Sequence, residues 1–81
     1  MYQVNFSEQS MKELNQLEIT EQMKIAEIIS SITKEQLEHS SEELRSFHRG
    51  NTVYYRVRAN DFRIYFELIK DQLFAHYILH K

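Results

Sequence analysis

The chain has 81 residues, 42% of them apolar, with no cysteine, no proline and one glycine, Gly50, so it holds one modest core spanning residues 1–81 as a single domain. Disulfides, thiolate metal ligands, a cysteine nucleophile and a glycine-rich phosphate loop are excluded. The net charge of −2 conceals an asymmetry: residues 1–44 carry nine acidic groups against three lysines, −6, and residues 45–81 carry seven basic groups against three acidic ones, +4. A C-terminal half of that sign suits an anion such as nucleic acid or an acidic peptide. No run is long enough for a membrane span, and the opening MYQVNFSEQS has no basic and apolar leader, so a soluble, cytoplasmic protein is expected.

Tyr2, Val4 and Phe6 alternate with Gln3 and Asn5, the pattern of a short strand. Ser7 then reads as a helix cap, with Phe6 and Met11 spaced for a hydrophobic staple. Met11, Leu14 and Leu17 mark one face of a first helix. Thr20 is expected to cap a second, in which Ile25, Ala26, Ile28, Ile29 and Ile32 form the apolar stripe. Thr33 to Gln36 fits a capping box, so that a helical turn restarts there or the second helix runs on, and residues 38–43, EHSSEE, read as an irregular connection. Residues 52–58 and 61–69 form a hairpin about Ala59–Asn60, and a further turn at Lys70–Asp71 leads into the last strand. In that strand Leu73, Ala75, Tyr77 and Leu79 are expected inside, with Phe74, His76, Ile78 and His80 on the other face. The order β-α-α-β-β-β predicts an α+β fold: two N-terminal helices packed on a small, mainly antiparallel sheet, with the first strand at its edge.

The chemistry concentrates in YYRVRANDFRIYF, residues 54–66. Val53, Tyr55 and Val57 alternate with Tyr54, Arg56 and Arg58, and Phe62, Ile64 and Phe66 with Arg63, Tyr65 and Glu67, so each strand buries one face and presents arginine on the other. Arg56, Arg58, Arg63, Tyr65, His76 and His80 are thereby gathered on one expected surface. Guanidinium groups engage phosphate oxygens two at a time, and Tyr54 and Tyr65 offer rings for a base. The plainer alternative is a solvated β face on which Arg63 pairs with Glu67 or Asp61. A zinc site does not fit: four residues along a strand set His76 and His80 about 13 Å apart, too far to share an ion.

YYRVRANDFRIYF resembles the central strands of the RelE/ParE superfamily of bacterial toxins, through the spacing of Arg56, Arg58 and Arg63. VNFSEQSMKELNQL is similar to that family's first strand and helix, and QLFAHYILHK to its last strand, so the resemblance covers nearly the whole chain. It implies the toxin of a type II toxin–antitoxin pair and, in the RelE/YoeB-like branch, a ribosome-dependent mRNA endoribonuclease that needs no metal or cofactor and inhibits translation. The matching positions make Arg63 the holder of the scissile phosphate, Glu42 the general base, with Glu43 one residue of slip away, and His80 the general acid. Arg45, Arg56, Arg58, Tyr54, Tyr65 and Lys81 are the RNA contacts. Lys81 stands where that branch has a terminal aromatic. The implied partners are a cognate antitoxin, the ribosome and mRNA. The ParE branch, associated with gyrase, or an inactive relative acting through protein binding, is the alternative.

Overall fold

A computed structural model describes residues 2–80. The elements run β1 (Gln3–Phe6), α1 (Glu8–Asn15), α2 (Ile19–Ser30), α3 (Lys34–Glu38), β2 (Leu44–Arg49), β3 (Thr52–Ala59), β4 (Phe62–Ile69) and β5 (Gln72–His80). This is the expected α+β architecture with one addition, the strand β2; α3 is the helical turn restarted at the Thr33–Gln36 capping box. The sheet order is β1-β5-β4-β3-β2, antiparallel except for β1, which joins the edge parallel to β5.

Local chemistry starts the helices where hydrogen-bond acceptors are available. Ser7 caps α1, its hydroxyl accepting the Ser10 N–H at 3.0 Å. Thr33 and Gln36 close the capping box of α3. The second helix departs from expectation: it starts at Ile19 rather than after Thr20, because the Glu21 carboxylate returns to the Glu18 N–H at 3.2 Å and fixes Glu18 as the cap. From there Ile25, Ile29 and Ile32 reach the sheet at helical spacing, while Ala26 on the adjoining face stays exposed. They meet Val57, Ala59, Phe62, Ile64, Phe66, Leu73 and Ala75, with Leu37 and Leu44 sealing the end beside α3 and β2.

One register shift changes the face assignments. Phe66 pairs with Ala75 but Tyr65 pairs with Tyr77, so His76 is an extra residue in β5. Side chains alternate at period two, so one inserted residue exchanges the faces of everything after it. Ile78 is therefore in the core, 5% exposed, and Tyr77 and Leu79 are on the open face, 53% and 45% exposed. Their assignments from simple alternation are corrected. His80 moves as well: it pairs with Phe62, its ring 4.9 Å from the Phe62 ring, and not with the arginine-bearing face.

The bulge lies where β5 runs past the end of β1, and α1 supplies the missing partners. Ser7 donates its N–H to Ala75 O at 2.9 Å and its hydroxyl to His76 O at 3.0 Å. The buried Ser10 hydroxyl lies 2.9 Å from Ala75 O, and Ile78 donates its N–H to the Glu13 carboxylate at 2.9 Å. Removing Glu13 leaves that N–H without a partner. Glu13→Ala is expected to destabilise the protein by about 1–3 kcal/mol in urea unfolding. Glu13→Gln, which keeps an acceptor, should recover most of this, and Glu8→Ala on the exposed side of the helix should stay within about 0.5 kcal/mol of wild type.

Candidate nucleic-acid interface

The helices cover one face of the sheet and leave the other open. All five arginines of the chain stand on that open face: Arg45 and Arg49 on β2, Arg56 and Arg58 on β3, Arg63 on β4. Cross-strand pairing sets Arg45 beside Arg56 and Arg58 beside Arg63, like charge against like charge. Among the described residues none of the five makes an ion pair; the Glu67 carboxylate, expected as an alternative partner for Arg63, instead accepts from His76 Nε2 at 2.9 Å. The Nε and one terminal nitrogen of Arg56, and the Nε of Arg63, are shielded from solvent with no hydrogen-bond partner. Burial, and then the charges of Arg58, Arg63 and Arg45, hold the Arg56 guanidinium below its ordinary value, partly opposed by Tyr65.

Two hollows flank this cluster. A cavity of about 290 Å³ is lined by Arg58, Arg63, Asn60, Phe62 and Glu43. Glu43 belongs here because the antiparallel ladder extends one residue beyond β2, with the Arg58 N–H donating to Glu43 O at 2.8 Å. Alternation then brings Glu43 to the arginine side. Glu42, the residue indicated by the sequence resemblance, instead borders a depression over the sheet edge with Arg45 and Ser46. His80 does not line the first hollow; it contacts the ring of Phe62, which does.

The second hollow, about 350 Å³, is an aromatic groove crossing β2 to β5, lined by Phe47, Tyr54, Tyr65, His76, Tyr77 and Leu79 together with Arg49. Phe47 stacks on Tyr54 at 5.8 Å and meets Tyr65 edge-on at 6.1 Å, and His76 meets Tyr54 at 5.8 Å. The bulge supplies the far wall by turning Tyr77 outward. Tyr54, Tyr65, Arg45, Arg56, Arg58 and Arg63 thus share one surface; Lys81 lies outside the described residues. Sequence reasoning missed Phe47 and Arg49 because β2 buries only Leu44 and shows no apolar alternation. The available signal was Gly50–Asn51, a two-residue hairpin turn with Gly50 at φ 64°. Among the described residues no group of three or more His, Asp or Glu side chains converges to hold a metal ion, and no helix is long and apolar enough to cross a membrane.

The same arrangement of helices and sheet recurs in solved toxin structures. An archaeal RelE–RelB complex from Pyrococcus horikoshii OT3 superposes with a TM-score of 0.74 at 17% identity, over 98% of this chain and 93% of that one. The chain has the RelE fold. The YoeB dimer from Staphylococcus aureus gives 0.74 at 18% identity over 99% and 97% of the two chains, and the Escherichia coli RelBE toxin–antitoxin complex 0.67 at 21% over 100% and 98%. No protein-family model and no curated protein matches the sequence.

Arginines crowded together without carboxylate partners destabilise the fold through mutual repulsion. The protein is expected to gain stability in urea as salt rises from about 0.01 M to about 1 M, across which the screening length falls from about 30 Å to about 3 Å. Arg56→Met should be more stable than wild type at low salt and gain less from added salt. Equal salt responses would remove repulsion as the feature of this face.

Proposed function

We propose that the protein is the toxin of a toxin–antitoxin pair and cleaves mRNA on the ribosome as a metal-independent endoribonuclease. The observation that carries this reading is the unpaired arginine cluster on the open face of a RelE-type sheet. Buried guanidinium N–H groups without partners are costly unless a ligand satisfies them, and phosphate oxygens match their geometry. Arg58 and Arg63 flank the scissile phosphate and stabilise the charge that builds on it in the transition state. Glu43, which shares their hollow, takes the proton of the ribose 2′-hydroxyl, which then attacks the phosphorus. His80, in contact with the Phe62 ring that lines this hollow, is assigned the proton delivered to the departing 5′-oxygen. Arg45 and Arg56 hold neighbouring phosphates, and the reading invokes no cofactor.

The RelE and RelBE structures that share the fold are complexes with their antitoxins, which supports a cognate antitoxin here. A segment carrying carboxylates and apolar anchors complements an arginine field beside an aromatic groove, and its binding removes both from RNA.

Single-turnover cleavage of ribosome-bound mRNA tests the mechanism. Arg63→Ala is expected to slow cleavage by about 10²- to 10³-fold, the scale for one preorganised donor to a developing oxyanion. Glu43→Gln should impair cleavage far more than Glu42→Gln, and His80→Gln should slow it while ribosome association persists. Wild-type rates in Arg63→Ala and Glu43→Gln would sink the mechanism. A folded wild-type protein that leaves mRNA intact on competent ribosomes would move the assignment to a protein-binding role.

A further inference from the structure

We propose that the aromatic groove is a base-reading site selective for guanine in single-stranded RNA, with Arg49 as the residue that selects it. The inference rests on the reading of the arginine face as an RNA surface and adds which base that surface prefers. Three observations meet at the groove. Its walls are rings: Phe47 and Tyr54 are stacked at 5.8 Å and 22°, and Tyr65 and His76 stand edge-on to them, leaving a volume at the lower end of ligand clefts. Such walls hold a flat heterocycle by stacking, a contact every base can make. Stacking therefore gives affinity without selection.

Selection comes from what else lines the groove. The His76 Nε2 is already engaged by Glu67 at 2.9 Å, so the imidazole is held as part of the wall. Arg49 is the one arginine lining the groove and has no ion-pair partner among the described residues. A guanidinium is a fork of donors with no acceptor. Among the purines, whose larger rings stack best, guanine alone presents two adjacent acceptors, O6 and N7, on its Hoogsteen edge, whereas adenine there pairs one acceptor with a donor that faces the fork unfavourably.

The groove is also correctly placed along a strand of RNA. Tyr65 pairs directly with Arg56, and Arg63 is two residues along β4 on the same face, about 6.8 Å away. A nucleotide whose base lies against Tyr65 therefore has its phosphate within reach of Arg56 or Arg63. The occupant is a base joined to a phosphate backbone: rings alone would suit any apolar segment, but the groove shares its face with five arginines that have no ion-pair partner among the described residues.

Binding of short RNAs that differ only in the central base, each blocked by a 2′-deoxy sugar there, tests this at fixed salt without the ribosome. The guanine RNA is expected to bind about 10- to 100-fold tighter than the adenine RNA, and replacing guanine by 7-deazaguanine should remove most of that advantage. Arg49→Lys, which keeps the charge and loses the fork, should erase the preference and leave affinity for a uridine-only RNA nearly unchanged. Arg58→Gln should weaken all the RNAs alike and keep the preference, and circular dichroism verifies the fold of each variant. Equal affinity for all bases, no binding of any RNA, or a uniform loss in Arg49→Lys would overturn the inference. Ribosomal cleavage by the wild type, scored separately, decides the ribonuclease reading, which survives any of those three results.

Discussion

The extra residue at His76 is the constraint on which the working face depends. Without it Tyr77 and Leu79 would point at the helices, Ile78 would point to solvent, and the aromatic groove would lose one wall. Bulges interrupt a hydrogen-bond ladder and persist only where other groups accept the freed donors and acceptors. Here α1 provides them at intervals of three residues, through Ser7, Ser10 and Glu13. A polar stripe on a helix, of a kind that usually faces water, thus holds the end of a strand and indirectly shapes a surface on the opposite side of the sheet.

Charge is partitioned between the two faces of that sheet. The nine acidic groups of residues 1–44 are carried mostly by the helices and the connection after them, and the five arginines by the open strands. A low net charge therefore says little about what the protein binds: the two fields point in opposite directions from a thin sheet, and an approaching polyanion meets only one of them at short range within a screening length of about 8 Å. The arrangement sacrifices stability on the open face, where Arg45 lies beside Arg56 and Arg58 beside Arg63. Shielded guanidinium nitrogens without partners are what a fold selected for packing alone would eliminate.

What could be read from the sequence follows the range of the interaction that decides it. The caps at Ser7 and Thr33 depend on neighbours three residues away and were legible as such. The hairpin of β3 and β4 announced itself because Val57, Ile64 and Phe66 are buried at every second position and Asn60 accepts a φ of 58°. Strand β2 was silent, since an edge strand with only Leu44 in the core leaves no alternating signature. The faces of Tyr77, Ile78 and His80 were illegible for another reason: they are set by Ser7 and Glu13, more than sixty positions away in the chain. Within the site, Arg56, Arg58, Arg63, Tyr54 and Tyr65 could be grouped by period alone. The choice between Glu42 and Glu43 could not, because it depends on one backbone hydrogen bond from Arg58.

The parallel pairing of β1 with β5 also fixes an order of events during synthesis. Gln3 and Gln72 are neighbours in the sheet although 69 positions separate them. A nascent chain can form its helices and the β2–β3 hairpin early, since those contacts are local. Its first strand, the bulge and the closed core must wait until residues 72–80 have emerged from the exit tunnel, because contacts of such long separation form last. The arginine face is completed only when the aromatic wall of β5 joins it. An assembled binding surface therefore requires residues 72–80 to be free to pair, and a chain in which they are not carries the arginines without the groove beside them.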